Sequence, residues 1–79
     1  MKVNEFLNAL CETLNRPPDS LSLDDTAATV EEWDSMGHLA IIATIDYKLH
    51  VSVNDAQLRN FSSIRELVDR LKARKVLED

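Results

Sequence analysis

Val3, Phe6, Leu7, Leu10 and Leu14 recur at three- and four-residue spacing, while Lys2, Glu5, Asn8 and Glu12 fall on the other side. This helical period predicts an amphipathic first helix over Val3 to Leu14. Pro17 and Pro18 stop it, because the residue before a proline is pushed out of the helical region. Cys11 sits at the edge of the apolar stripe and reads as a small core residue rather than a reactive thiol. From Pro17 to Trp33 the period is lost, and Asp, Ser and Thr are interrupted by single apolar residues at Leu21, Leu23, Ala27 and Val30. Loops of this length in a small domain are functional or disordered. The spaced apolar residues predict an ordered one, pinned to the core, with one short turn of helix.

A second helix is expected from Asp34 or Ser35 to Leu49, with Asp34 as the N-cap. Its run MGHLAIIATIDYKL is apolar around most of its circumference, and only Gly37, Thr44 and Lys48 form a continuous polar stripe. Such a helix is central to a bundle or shows an apolar face to a partner. After an extended piece from Val51 to Val53, Asn54 or Asp55 is placed to cap a brief third helix, DAQLRNF. Ser62 or Ser63 caps a fourth, with Ile64, Leu67, Val68 and Leu71 as its core stripe and Glu66 completing a capping-box pattern after Ser63. The charged end, KARKVLED, is expected to fray. The predicted fold is all-α: a small irregular four-helix bundle of three main helices and a short third one, with a long first loop. Residues 1–79 form one domain in this reading.

Composition narrows the function classes. One glycine and two prolines leave little material for tight hairpins, which reinforces the helical reading. Nine basic against fourteen acidic residues give a net charge of −5, which argues against a nucleic-acid binder and suits either basic partners or solubility alone. Cys11 is the only cysteine, so no intrachain disulfide can form, as expected for a reducing cytoplasm. There is no apolar signal core and no run of membrane-spanning length. A soluble cytoplasmic monomer without a membrane span is the expectation.

The distinctive segment is Glu32-Trp33-Asp34-Ser35-Met36-Gly37-His38-Leu39. A serine between an acid and an apolar residue is a weak signal alone, and Asp34 with Ser35 can be no more than a cap pair. Its place at the start of the most apolar helix strengthens it. Other chemistry is poor. Ser35 and His38 lie three apart on one helix, but no G-x-S-x-G elbow or orienting acid accompanies them. His38 therefore reads as a surface or partner-facing residue. Cys11, His38 and His50 lack zinc-ligand spacing, and Asp24, Asp25, Glu31 and Glu32 lack calcium-loop spacing and its glycine.

Over essentially its whole length the chain resembles the acyl carrier protein family, including peptidyl and D-alanyl carriers. The shared features are Asp34-Ser35-Met36, the long first loop with Asp24 and Asp25, the short helix before Phe61, and Ser63-Ile64-Arg65-Glu66-Leu67 at the start of the last helix. The resemblance implies that the Ser35 hydroxyl receives 4′-phosphopantetheine from coenzyme A, with magnesium, through a phosphopantetheinyl transferase. Asp34 then helps present the serine to the transferase. It further implies a carrier with no catalysis of its own, which holds an acyl or aminoacyl group as a thioester. Its partners would be an activating ligase and acyl-transferring or condensing enzymes. A phosphodiester on Ser35 would sit where first-turn amides and the helix dipole favour anions. The neighbouring Asp34 carboxylate opposes this locally.

Fatty-acid carriers of this family bear acids at several positions where this chain has Gly37, Ala40, Tyr47, Ala56 and Arg59, while Asp34, Asp46 and Asp55 remain. A different partner set is implied, because surface charge governs association rate and specificity. That set would read apolar contact at Met36, Leu39, Ala40 and Ala43, with Asp55 beside them, while Ile41, Ile45 and Leu49 face the core. Trp33 before the Asp-Ser pair is more similar to discrete carriers of specialised biosynthetic clusters. The competing reading is an unmodified adaptor that kept the fold and binds a protein through its second helix.

Overall fold

The computed structural model describes residues 1–51 and 60–79. Three helices lie within them: α1 (Val3–Thr13), α2 (Ser35–Leu49) and α3 (Ile64–Ala73). No strand occurs among the described residues, only isolated bridges at Lys2–Glu78 and Thr26–Ser63. The result is a small all-helical bundle. Most of the brief helix expected at Asp55–Phe61 lies outside the described residues, as does Asp55 itself.

α1 forms where its period predicts, and buries Phe6, Leu10 and Cys11. It stops at Leu14 because Asn15 takes the left-handed conformation (φ 60°). The Arg16 N–H then donates to the Cys11 carbonyl at 2.7 Å and the Asn15 N–H to that of Glu12 at 3.1 Å. These two bonds satisfy carbonyls that a helix end leaves orphaned. α3 ends in the same way, with Lys75 at φ 62° and the Val76 N–H donating to Leu71 at 3.2 Å. Its start is the predicted cap: Ser63 Oγ accepts from the Glu66 N–H at 3.1 Å. Ile64, Leu67, Val68 and Leu71 are all buried.

α2 packs against α1, and its Ile41 and Ile45 are fully buried. The polar stripe read along it does not behave as one. Lys48 is exposed, but Gly37 and Thr44 are buried. The Thr44 hydroxyl donates to the Ala40 carbonyl at 2.9 Å, so it must accept from Thr13 Oγ1, 2.7 Å away on α1. A polar residue that bonds its own helix and one neighbour can be buried at little cost, which the one-letter pattern does not reveal.

The loop from Pro17 to Trp33 is ordered by three buried pins, Leu21, Val30 and Trp33. Leu23 is half-buried and Ala27 is exposed, so Ala27 is not a pin. The expected single helical turn falls at Thr26–Val30, where the Val30 N–H donates to the Thr26 carbonyl at 3.0 Å, and hydrogen-bonded turns at Ser22–Asp25 and Val30–Trp33 flank it. Backbone bonds from Ile64 to the Asp25 carbonyl (3.0 Å) and from Ala27 to the Ser62 carbonyl (3.1 Å) stitch the loop to the start of α3. Arg65 pairs with Asp24 at 2.9 Å alongside them.

Asp25 organises this turn. Its carboxylate accepts the Ser22 N–H at 2.8 Å and the Thr29 hydroxyl at 3.0 Å. The Ser22 backbone bond, opposed by burial and reinforced by the Thr29 and Ser22 hydroxyls and Arg16, holds its pKa below the ordinary 3.8. A carboxyl depressed in the folded state takes up protons more readily when unfolded, so its stabilisation is present above the ordinary value and is lost as pH falls through the depressed one. Asp25→Asn should therefore melt below wild type near neutral pH, with a gap that narrows below about pH 4. Melting temperatures of both proteins across that range check this; a constant gap would mean that Asp25 acts by packing alone.

The C-terminal end is not frayed. Leu77 is buried, the Val3 N–H donates to the Glu78 carbonyl at 2.8 Å, and the Glu78 N–H donates to Met1 at 3.1 Å. Lys72 also pairs with Asp79. The left-handed turn at Lys75 reverses the chain so that Val76 and Leu77 return to the core, and one apolar pair outweighs the charged residues around it. None of these helices is long and apolar enough to cross a membrane.

Candidate functional site

The loop delivers the chain to α2 at a fixed position and angle. Arg16, just past α1, donates to Glu32 at 2.8 Å, to Ser20 Oγ at 3.2 Å and to the Ser20 carbonyl at 3.3 Å. Its guanidinium thus clamps both ends of the loop together. Glu32's own backbone N–H and the Arg16 guanidinium hold the Glu32 carboxyl below the usual carboxylate range. One residue on, Trp33 is buried and its backbone N–H donates to Val30 at 3.0 Å.

Asp34 is then the N-cap in extended conformation. Its Oδ1 accepts the Gly37 N–H at 2.8 Å, and its carbonyl accepts the first helical bond, from His38, also at 2.8 Å. Ser35 is the first helical residue and is exposed. Because Asp34 spends one carboxylate oxygen on the helix, its charge is partly engaged beside the serine. The N–H groups of Ser35 and Met36 are at the positions where any helix has no internal acceptor.

Gly37 is where the loop crosses α2. A Cβ built there would lie 2.0 Å from the Glu32 carbonyl oxygen and 3.4 Å from Leu14 Cδ2. The glycine is required by close approach, since backbone and not a movable side chain occupies the space. Its absence of a side chain lets the Glu32–Trp33 segment lie on the first turn of α2 and so sets where Ser35 stands.

On the other flank, the Trp33 Nε1–H donates to His38 Nδ1 at 3.0 Å. Phe61 closes the group, with ring centroids 5.6 Å from Trp33 and 4.5 Å from His38. His38, expected as a surface or partner-facing residue, is half-buried in this cluster and lines an open groove. An indole N–H can only donate, so His38 Nδ1 is the acceptor in this bond. An open groove of about 480 Å³ runs from Ser35 along Trp33, His38, Leu39 and Phe61. A larger groove, about 620 Å³, lies between α1 and α2 past Ala9, Thr13, Ala40 and Tyr47 and does not reach Ser35. Chemistry and not size distinguishes the first.

The remaining predicted residues lie along the same helix. Met36 is 80% exposed and Leu39 59%; Ala43 is exposed and Ala40 half-buried. Tyr47, at 76%, extends this surface and was absent from the predicted set. Ile41 and Ile45 face the core as expected, with Leu49 partly buried against it. Sequence reasoning also missed the Arg16 clamp, which carries no periodic signal.

Fold and site together define a small helical bundle with an exposed serine at the head of its most apolar helix. The family model for the phosphopantetheine attachment site matches residues 4–71. The chain belongs to that family, whose members are carriers rather than catalysts and bear a covalently attached 4′-phosphopantetheine. They interact with a phosphopantetheinyl transferase and with acyl-processing enzymes. Searches of curated proteins and of solved structures each found no significant match.

Proposed function

We propose that Ser35 is the attachment point of the phosphopantetheine arm and that the protein carries an acyl or aminoacyl group for a specialised biosynthetic pathway rather than for primary fatty-acid synthesis. The observation that carries the first part is an exposed serine as the first residue of α2, fixed by the Asp34 cap and by loop backbone lying on Gly37. The residues present fit the group. The hydroxyl is accessible to a transferase, the helix end favours an anion, and an apolar groove begins beside it. The arm supplies a thiol on which cargo rides as a thioester. Asp34 holds the first turn and leaves its second oxygen available to the transferase. In this reading the partners are that transferase, an acyl- or aminoacyl-activating ligase, and acyl-transferring or condensing enzymes in the cytoplasm.

The test is intact mass after co-expression with a phosphopantetheinyl transferase. A gain equal to one arm is expected; an unchanged mass favours an unmodified adaptor that binds a protein through α2.

The specialised pathway is supported by the face that α2 presents. Met36, Leu39 and Tyr47 are exposed apolar side chains, and among the described acids of α2 only Asp46 lies within the helix itself. Charge pairs on a surface fade with salt, since the Debye length is about 10 Å at 0.1 M, whereas apolar contact does not. Leu39→Ala should weaken binding of the cognate partner roughly tenfold, about 1.4 kcal/mol. Raising salt should do much less. Affinities of both proteins at low and high salt decide the matter: a collapse with salt that ignores Leu39→Ala would assign recognition to the acids. The modified protein should also be a poor substrate for fatty-acid synthase enzymes.

A further inference from the structure

Resting on the assignment of the arm to Ser35, we propose that Arg16 is a positioning residue for that attachment. By tying Glu32 to the end of α1, it keeps the loop backbone seated on the first turn of α2 and holds Ser35 where a transferase can engage it. The guanidinium touches no reacting atom and acts through Glu32.

Three observations carry this. Arg16 Nη1 pairs with Glu32 Oε1 at 2.8 Å, and the same guanidinium donates to Ser20 Oγ at 3.2 Å and to the Ser20 carbonyl at 3.3 Å. Among the described residues, the Arg16–Glu32 bond is the only hydrogen bond that joins α1 and its C-terminal turn to the Glu32–Asp34 segment. Glu32 is also the residue whose backbone rests on α2, since its carbonyl oxygen lies 2.0 Å from where a Cβ on Gly37 would stand. One residue thus joins α1 by its side chain and α2 by its main chain. Only Trp33 and Asp34 then separate it from Ser35, and Asp34 Oδ1 fastens the first turn by accepting the Gly37 N–H at 2.8 Å.

The pair has more hold than an ordinary surface contact. The Arg16 side chain is 21% exposed and that of Glu32 41%, whereas the Arg65–Asp24 pair of the same loop is 56% and 87% exposed. Shielding from water strengthens a charge-assisted bond, and the fork of the guanidinium holds several acceptors at fixed angles. Trp33 anchors the segment in the core, and Arg16 anchors the residue before it to α1. Loss of the second anchor frees the segment to lift, and docking then draws on the fraction still seated. Such a loss raises the apparent KM for the carrier by the inverse of that fraction and leaves kcat alone. A charge effect has a different sign pattern. Arg16→Ala makes the surface more acidic and Glu32→Ala less acidic, so a partner reading charge would respond to them in opposite directions. Positioning predicts the same direction for both.

The experiment measures transferase kinetics on the carrier, with intact mass recorded first, and hydrogen exchange of the Gly37 amide by NMR in the unmodified protein. Arg16→Ala and Glu32→Ala should each raise KM for the carrier about threefold at unchanged kcat, and each should speed Gly37 exchange. The double variant should be no worse than Arg16→Ala alone, because the two residues act as a pair. Arg65→Ala, which breaks an ion pair between the loop and α3, should leave both readouts at wild type. Opposite KM shifts in the two single variants, a fall in kcat, additive losses in the double variant, or an equal effect of Arg65→Ala would each overturn the positioning role. If Arg16→Ala unfolds, Glu32→Ala on its half-buried side chain still decides the matter by the same two readouts. Wild type that gains no mass overturns the attachment to Ser35 instead, and Gly37 exchange still decides whether Arg16 holds the segment.

Discussion

Ser35→Ala should fold like wild type and lose all labelling by a coenzyme A analogue in the presence of a phosphopantetheinyl transferase. The loss is expected to be complete because no other group can replace the attacking hydroxyl at that position. Folding should survive for a local reason: Ser35 is exposed, and the cap is made by Asp34 and the Gly37 N–H, not by the serine side chain. Alanine is also the better helix former by roughly half a kcal/mol. The measurements are intact mass, labelling and the thermal midpoint. Labelling that persists or moves to Ser20, Ser22, Ser52, Ser62 or Ser63 would end the assignment to Ser35. A large fall in the midpoint would instead give the serine a structural role that its exposure argues against.

Gly37→Ala is the second large effect, and it acts on stability and site together. The new Cβ would overlap the Glu32 carbonyl oxygen at 2.0 Å, too close for either backbone to stay in place. Overpacking of this kind costs about 2–3 kcal/mol, a large part of the several kcal/mol available to a domain this small. The least costly relief is for the Glu32–Trp33 segment to lift off α2. That would strain the Arg16–Glu32 pair and pull Trp33 away from His38 and Phe61. Denaturant unfolding should therefore show the lower stability, Trp33 emission should shift red in the native state, and modification at Ser35 should slow. An unchanged midpoint with unchanged Trp33 emission would show that the loop accommodates a methyl group, and that its close approach does not set the site.

Much of the fold is carried by residues close together in sequence. The period of Val3, Phe6, Leu7 and Leu10 is enough to place α1, because a helix relates residues three and four apart whatever surrounds it. Asp34 and Ser63 mark the starts of α2 and α3 for the same reason, since a cap joins atoms three residues apart. Cys11, Ile41 and Ile45 are buried as their stripes require. The serine at the head of the most apolar helix was also legible, and the family match covers the segment that contains it.

What the sequence could not determine lies between segments. Thr44 reads as polar and is buried because Thr13, distant in the chain, meets its hydroxyl. The tail KARKVLED reads as charged and is anchored because a left-handed residue at Lys75 returns Leu77 to the core and brings Glu78 beside Val3. His38 reads as surface or partner-facing, and only the fold brings Trp33 and Phe61 against its ring. Gly37 reads as a gap in a helix and is instead the place where another piece of backbone must lie. Periodicity and capping record interactions within a turn or two of the chain, and so the sequence by itself determined the three described helices, their starts and the candidate serine. The groove, the clamp and the anchored tail depend on the path taken by intervening loops, and only tertiary packing decided those.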